Sequence, residues 1–403
     1  MIDTLDVDQS RRPVILTLVR YYLPGYKAGG PLRTISNMVE AMGDAFDFLI
    51  VTSDRDVTDT APYPGIQNGI WQKVGKARVL YLPPERRGLR HIARILAETP
   101  HDILYLNSFF DPVFTQKPLL ARLLGLAPRS RCVLAPRGEF SEGALALKSA
   151  KKNAFLAAAH VVGLYRGLEW QASSDYEKAD IRRALGSFVC EIKIAPDLPG
   201  MTDIPPSFAP RSSGEPLRVV FLSRISPKKN LDFALAALRQ LRIPVRFDIY
   251  GLIDDESYWR RCREIIATLP ENIEASWLGS IPHAQVAGTL ARYDLFFLPT
   301  RGENYGHAIF EALSVGTPVL ISDRTPWRGL EEKGIGWDLP LTSPGDFAVC
   351  IGRAFAFDAR EQTRRRRLAA AFANEYRAGS QSLAQNRLLF APCERLIVER
   401  GRR

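Results

Sequence analysis

Strand-length apolar runs alternate with helix-length periodic segments along nearly the whole chain, and that alternation admits few folds besides an α/β architecture with parallel sheets. VILTLV (from Val14), FDFLIVTS, VLYLP, ILYLNS, CVLAPRG and IKIAP form a first set of strands. LRVVFLS, VRFDIYG, IEASWLG, LFFLPT and TPVLIS form a second, followed by helical sequence such as NLDFALAALRQL and HAIFEALSVG. Between the sets, residues 195–216 (APDLPGMTDIPPSFAPRSSGEP) keep no period and are rich in Pro, Gly and Ser, as a connection between domains should be. Two consecutive doubly wound domains joined near residue 205 are therefore expected, 1–205 and 206–379. Open sheets of this kind bind ligands outside the carboxyl ends of their strands, so functional residues belong in the cleft between the domains.

Composition narrows the class. A chain of 403 residues, 46% hydrophobic, can build large cores and is not disordered. Its 54 Lys and Arg against 44 Asp and Glu give +10, which suits an anionic partner without choosing between phosphate ligands, acidic lipid and nucleic acid. Cys132, Cys190, Cys262, Cys350 and Cys393 are dispersed, with no C-x-x-C pair. That argues against a disulfide framework or zinc cluster and for a reducing cytoplasm. The N-terminal MIDTLDVDQSRR lacks an apolar core, and the weakly polar run at 154–165 is too short to span a bilayer, so neither signal peptide nor transmembrane segment is expected.

Three strand ends carry chemistry. After the first strand, RYYLPGYKAGGPLRT turns through Gly29 and Gly30 into an amphipathic helix, a place where backbone amides can approach an anion. After the first strand of the second domain, SRISPKKNLDFALAAL crowds Arg224, Lys228 and Lys229 ahead of a helix with Asn230 as the expected cap. Cations beside a helix N-terminus oppose its dipole, and a shared anion resolves the conflict; a solvated basic loop is the alternative. Third, RGENYGHAIFEAL (301–313) puts Glu303 in a loop at a strand end and Glu311 within the following helix. At ~1.5 Å of rise per residue the two carboxylates lie roughly 9 Å apart along the axis, too far to share a metal. They can touch successive parts of one elongated ligand, with the free amides of 304–307 between them; a capping Glu303 and a solvent-facing Glu311 are the plain structural alternative.

With these residues in view, RGENYGHAIFEALSVGTPVL resembles the Glu-x7-Glu signature of the retaining GT-B glycosyltransferases of family 4. FLSRISPKKNLDFALAAL resembles that family's diphosphate loop, PGYKAGGPLRTISNMVEAM its N-terminal glycine loop, and APRGEFSEGALALKSAKKNAF a segment of exopolysaccharide-type members. The resemblance implies two doubly wound Rossmann-like domains facing each other across a cleft, the first for the acceptor and the second for the nucleotide sugar. It also implies that the last helical stretch, within 380–403, crosses back to the first domain.

The same resemblance implies roles. Arg224 and Lys229 would neutralise the nucleotide diphosphate, Glu303 would hold hydroxyls of the donor sugar and Glu311 those of the ribose. Amides of Asn304, Tyr305, Gly306 and His307, with Gly30 from the other domain, would complete the phosphate cradle, and Leu278 and Gly279 would contact the base. Arg137, where many relatives have a histidine, and Lys27 would contact acceptor or donor sugar. The activity implied is retaining, metal-independent sugar transfer from a UDP- or GDP-sugar to a glycan or lipid-linked acceptor in bacterial polysaccharide biosynthesis, with no cofactor beyond the donor. Asp254 and Asp255 read as a capped helix start, not a metal pair. Lys148, Lys151 and Lys152 beside an apolar stretch are compatible with peripheral contact to an anionic membrane, as are the arginine-rich REQTRRRRLAAAF and the terminal ERGRR. Nucleic acid is not expected as a partner, because no aromatics interleave with the basic clusters. A nucleotide-sugar epimerase or hydrolase of the same fold, or a non-catalytic binder, are the rival readings.

Overall fold

The computed structural model describes residues 11–141, 149–186, 189, 191–200, 209–212, 214–379 and 381–391, with side chains of the helix Ser149–Val162 described from residue 155. The first lobe is built on eight strands: β1 (Val14–Leu18), β2 (Asp47–Ser53), β3 (Trp71–Val74), β4 (Ala77–Leu82), β5 (Ile103–Asn107), β6 (Arg131–Ala135), β7 (Glu169–Ala172) and β8 (Ile192–Ile194). Their order is β3-β4-β2-β1-β5-β6-β7-β8, parallel throughout except for the β3–β4 hairpin. The second lobe has β9 (Leu217–Leu222), β10 (Val245–Tyr250), β11 (Ile273–Trp277), β12 (Leu295–Leu298), β13 (Val319–Ser322) and β14 (Gly336–Leu339), ordered β11-β10-β9-β12-β13-β14 and wholly parallel. Both sheets reverse direction of growth beside their first strand, at β1/β5 and at β9/β12, and those reversals are where such folds open a crevice.

The central strands read as unbroken apolar runs because helices cover both faces. Val219, Val220, Phe221, Phe296 and Phe297 have no exposed surface. Three strands were not anticipated. WQKV (β3) is a half-exposed antiparallel edge, GWDL (β14) closes the other sheet's edge, and EWQA (β7) buries a glutamine. That Gln171 is tolerated because its amide accepts from the Tyr105 hydroxyl (2.5 Å) and donates to the Ala195 carbonyl (2.8 Å).

After the second sheet the helix Ala359–Gly379 packs beneath the helix His307–Ser314, where buried Arg366 donates to the carbonyls of Tyr293 (2.6 Å) and Ala291 (2.7 Å). The helix Ser382–Phe390 then lies on the first lobe. Asn386 donates to the Pro196 carbonyl (2.7 Å), and Phe390 packs edge-on against Tyr105 with centroids 5.0 Å apart. Residues 380 and 392–403, including the terminal basic cluster, fall outside the described residues, as do Lys148, Cys190, Cys393 and the side chains of Lys151 and Lys152. Among the described residues, no helix is long and apolar enough to cross a membrane, and no group of three or more His, Cys, Asp or Glu could hold a metal ion. Cys132, Cys262 and Cys350 are free and buried.

Candidate active site

The site grows from the two strand ends at the reversal in the second sheet. On the other side of β9, the end of β10 approaches so closely that a Cβ on Gly251 (φ +147°) would stand 1.8 Å from the Ser223 carbonyl oxygen. Only glycine meets that approach. Asn230 stands at the start of the helix Leu231–Leu238 but does not cap it. Its backbone is left-handed (φ 63°), and its side chain donates to the Pro299 carbonyl (2.9 Å) while accepting from Arg301 Nε (3.0 Å). The residue expected to cap one helix instead staples the loop after β9 to the loop after β12. The Arg301 amide reinforces the join by donating to the Lys228 carbonyl (2.8 Å).

That staple brings Lys229 Nζ to 2.5 Å from the Glu303 carboxylate, in an ion pair whose side chains are only 13% and 12% exposed. Burial alone would raise the Glu303 carboxyl; Lys229 and Lys228 outweigh it and hold the group below its ordinary range. Lys228 is half-buried, and that burial pushes its ammonium below the usual lysine value, with Glu303 acting the other way. Arg224, more open, pairs with Asp254 at 3.0 Å. Asp255 alone caps the next helix, accepting from the Tyr258 amide (2.9 Å).

The helix His307–Ser314 begins after Gly306 (φ 80°) and has no side-chain cap; the Ile309 amide already donates to the Gly306 carbonyl (2.9 Å), so the amides ahead of it are the ones left to whatever occupies the cleft. Trp327 fixes the approach by donating from Nε1 to the Tyr305 carbonyl (2.6 Å). His307 Nε2 lies 3.1 Å from Thr34 Oγ1, and Thr34 donates to Asp197 (2.9 Å), so the helix start touches the first lobe directly. Burial holds His307 below the ordinary histidine value despite Asp197, leaving a neutral ring at neutral pH. At the far end of the helix, Glu311 lies 3.0 Å from His283 Nε2.

The first lobe closes the site from above. A Cβ on Gly29 (φ 77°) would sit 3.9 Å from Arg224 Nε, so the glycine turn overhangs the diphosphate loop. Arg137, also left-handed (φ 57°), is spent inside its own lobe: it pairs with Asp197 (2.7 Å) and donates to Asn107 Oδ1 (2.8 and 3.1 Å) and to the Tyr105 hydroxyl. The Lys27 ammonium is held by Asp59 (2.5 Å).

A cleft of about 250 Å³ runs between the lobes, and Gly30, Lys27, Arg137, Arg224, Lys229, Glu303, Asn304, Tyr305, Gly306, His307 and Glu311 all line it. Leu278 and Gly279 do not. Their backbones tie the end of β11 to β10, through Leu278 N to the Ile249 carbonyl and Gly251 N to the Gly279 carbonyl (2.9 Å each), and the lining passes to Ser280 and Ile281. Lys228, Arg33, Thr34, Asp197 and His283 also line the cleft, though the sequence assigned them no role in it or, for Lys228, left the role open. Arg33 and Thr34 sit in the first turns of the helix behind the glycine loop, a signal that could have been followed. Asp197 lay in a stretch that reads only as linker.

The family model described as "Glycosyl transferases group 1" matches residues 207–348. The chain is 31% identical over 140 residues to a Salmonella typhimurium protein provisionally named colanic acid biosynthesis glycosyltransferase WcaL, covering 32% of this chain and 34% of that one. It thus spans about a third of that relative's length. Among solved structures, sucrose-phosphate synthase from Thermosynechococcus elongatus superposes with a TM-score of 0.66 at 17% identity, covering 94% of this chain and 98% of the other. Anabaena HepE, solved in complex with UDP and glucose, gives 0.65 at 17% identity, with the same 94% and 98% coverage. Two Rossmann-like lobes with parallel sheets facing each other across a cleft make this a GT-B fold, and its residues 207–348 match the glycosyl transferases group 1 model.

Proposed function

We propose that the protein is a retaining glycosyltransferase that moves a hexose from a nucleoside diphosphate sugar, UDP-linked by preference, to a glycan or lipid-linked acceptor in polysaccharide biosynthesis. The observation that carries this reading is the Lys229–Glu303 pair at the mouth of an uncapped helix, with Arg224 beside it and a glycine turn of the other lobe overhead. A diphosphate placed there meets two cations and a row of amides, all of which bind it more strongly as charge grows on the departing oxygen. Glu303 then accepts from hydroxyls of the sugar, and Glu311 from the ribose. In the transfer, the bond between the anomeric carbon and the diphosphate oxygen breaks while the acceptor oxygen bonds to that carbon from the same face. The acceptor's proton passes to the departing phosphate oxygen, so the protein supplies no nucleophile and no base. The charge carried elsewhere by a divalent metal is supplied in this reading by Arg224 and Lys229. Work on the cytoplasmic side, with peripheral contact to anionic lipid, fits the surplus of +10.

A thermal-shift screen against UDP- and GDP-sugars and oligonucleotides tests the reading. Stabilisation by a nucleoside diphosphate and not by oligonucleotides is expected, followed by transfer with the anomeric configuration kept. A melting temperature indifferent to every nucleotide, or a product of inverted configuration, would sink it.

A further inference from the structure

A second cleft, of about 340 Å³, opens on the far side of the Glu303 loop. It lies between the ends of β6 and β7 in the first lobe and those of β12 and β13 in the second, and it shares Lys228, Glu303 and Asn304 with the first cleft. Its carboxylates all have amide or cation partners, Asp323 through an ion pair that leaves its Oδ1 without a hydrogen bond. Glu177 accepts from the amides of Gly138 (2.5 Å) and Ser173 (2.8 Å), Asp180 pairs with Arg183 (3.1 Å), Asp323 with Arg324 (3.3 Å), and Glu303 with Lys229.

Two of its cations are held more loosely. Among the described residues no carboxylate lies within salt-bridge distance of Lys228 or Arg301, although Glu303 and Glu177 act on the Lys228 ammonium from further off and Arg301 Nε donates to Asn230 (3.0 Å); the Arg301 amide bonded to the Lys228 carbonyl joins their backbones. Next to them Asn304 Nδ2 is buried without any hydrogen-bond partner. A half-buried ammonium with no carboxylate in direct contact and an orphaned amide each cost free energy unless something completes them. Tyr176 stands on the opposite rim with 74% of its surface exposed, a flat face of the kind on which sugar rings stack.

We propose that this second cleft receives the acceptor, and that the acceptor is a sugar bearing an anionic group, phosphate or carboxylate, bound by Lys228 and Arg301 while Asn304 donates to an oxygen beside the reacting hydroxyl. The proposal rests on the glycosyltransferase reading, since the shared Glu303 and Asn304 are what bring an acceptor hydroxyl to the donor. Glucose 6-phosphate, glucuronate and glucose serve as probes, with binding to the full chain measured by titration calorimetry under saturating UDP. A charged probe is expected to bind about tenfold tighter than glucose, the difference one charge-assisted contact makes, and to add to UDP without displacing it. Whichever charged probe is tighter identifies the phosphate or the carboxylate. Arg301→Gln should reduce the charged probe to the level of glucose while glucose itself binds as before, and Arg301→Lys should restore part of the preference. Equal binding of charged and neutral probes, competition with UDP, or a preference that survives Arg301→Gln would overturn the proposal. Failure of the unsubstituted chain to bind UDP would sink the donor reading alone, because the charged-probe preference and its dependence on Arg301 decide the cleft separately.

Discussion

The two clefts flanking the Glu303 loop differ in how the cations nearest that loop are partnered. In the first, Arg224 and Lys229 already hold carboxylates, Asp254 at 3.0 Å and Glu303 at 2.5 Å. In the second, Arg183, Arg324 and Arg328 are paired as well, while Arg301, and the Lys228 that both clefts share, have no carboxylate within salt-bridge distance among the described residues. A ligand entering the first must share or exchange partners, so part of its electrostatic gain goes into loosening existing pairs. A ligand entering the second meets Lys228 and Arg301 without a close ion pair to break, although Glu303 offsets part of the Lys228 charge.

Substitutions can break this contrast, and Glu303→Ala should do most. Turnover is expected to fall about a hundred- to thousandfold, while nucleotide affinity by calorimetry is largely kept; unchanged turnover would remove Glu303 from its assigned role. Lys229→Ala should weaken nucleoside diphosphate binding by about tenfold or more. It also leaves Glu303 buried without its nearest cation, so the double variant should show non-additive binding, detectable as a coupling of about 1 kcal/mol in a double-mutant cycle. Arg224→Ala is expected to cost less, a few-fold in the same measurement, since its pair is exposed and screened.

The smallest effect is one of pH. His307 has a folded-state value below its unfolded one, so the unfolded chain takes up the proton first as pH falls. Stability from this group is therefore full above the ordinary histidine value of about 6.5 and declines as pH drops below it. Melting temperature followed across that range should fall less steeply in His307→Gln. Glu303 works in the same sense at lower pH: its depressed value keeps the ion pair intact through the ordinary carboxylate range, and the pair is lost only as pH falls through the lower folded value.

Much of this was legible locally. The central strands were visible because burial on both faces demands unbroken apolar runs, and the Glu303 loop with the helix bearing Glu311 because the two glutamates stand out against apolar surroundings. What escaped lay at edges and in partnerships. β3 and β14 are edge strands and β7 hides a polar residue, so none shows the apolar run that marks a buried strand. Asn230 reads as a cap from its position, yet its side chain serves a loop 69 residues away. Glu139, inside a recognisable segment, proves to hold the amides of Phe109 (2.5 Å) and Phe110 (3.1 Å), a purely architectural task.

By itself the sequence determined the class of fold and the chemical character of the loops, because strand period, helix period and turn composition are local properties of the chain. Which cations are paired, which face the second cleft, and that Asp197 of an apparent linker joins Arg137, Thr34 and His307 across two lobes were decided only by tertiary structure. Charge pairing depends on distances of a few ångströms between residues far apart in the chain. Nothing in local composition encodes such distances; the packing of the two sheets' strand ends against each other does.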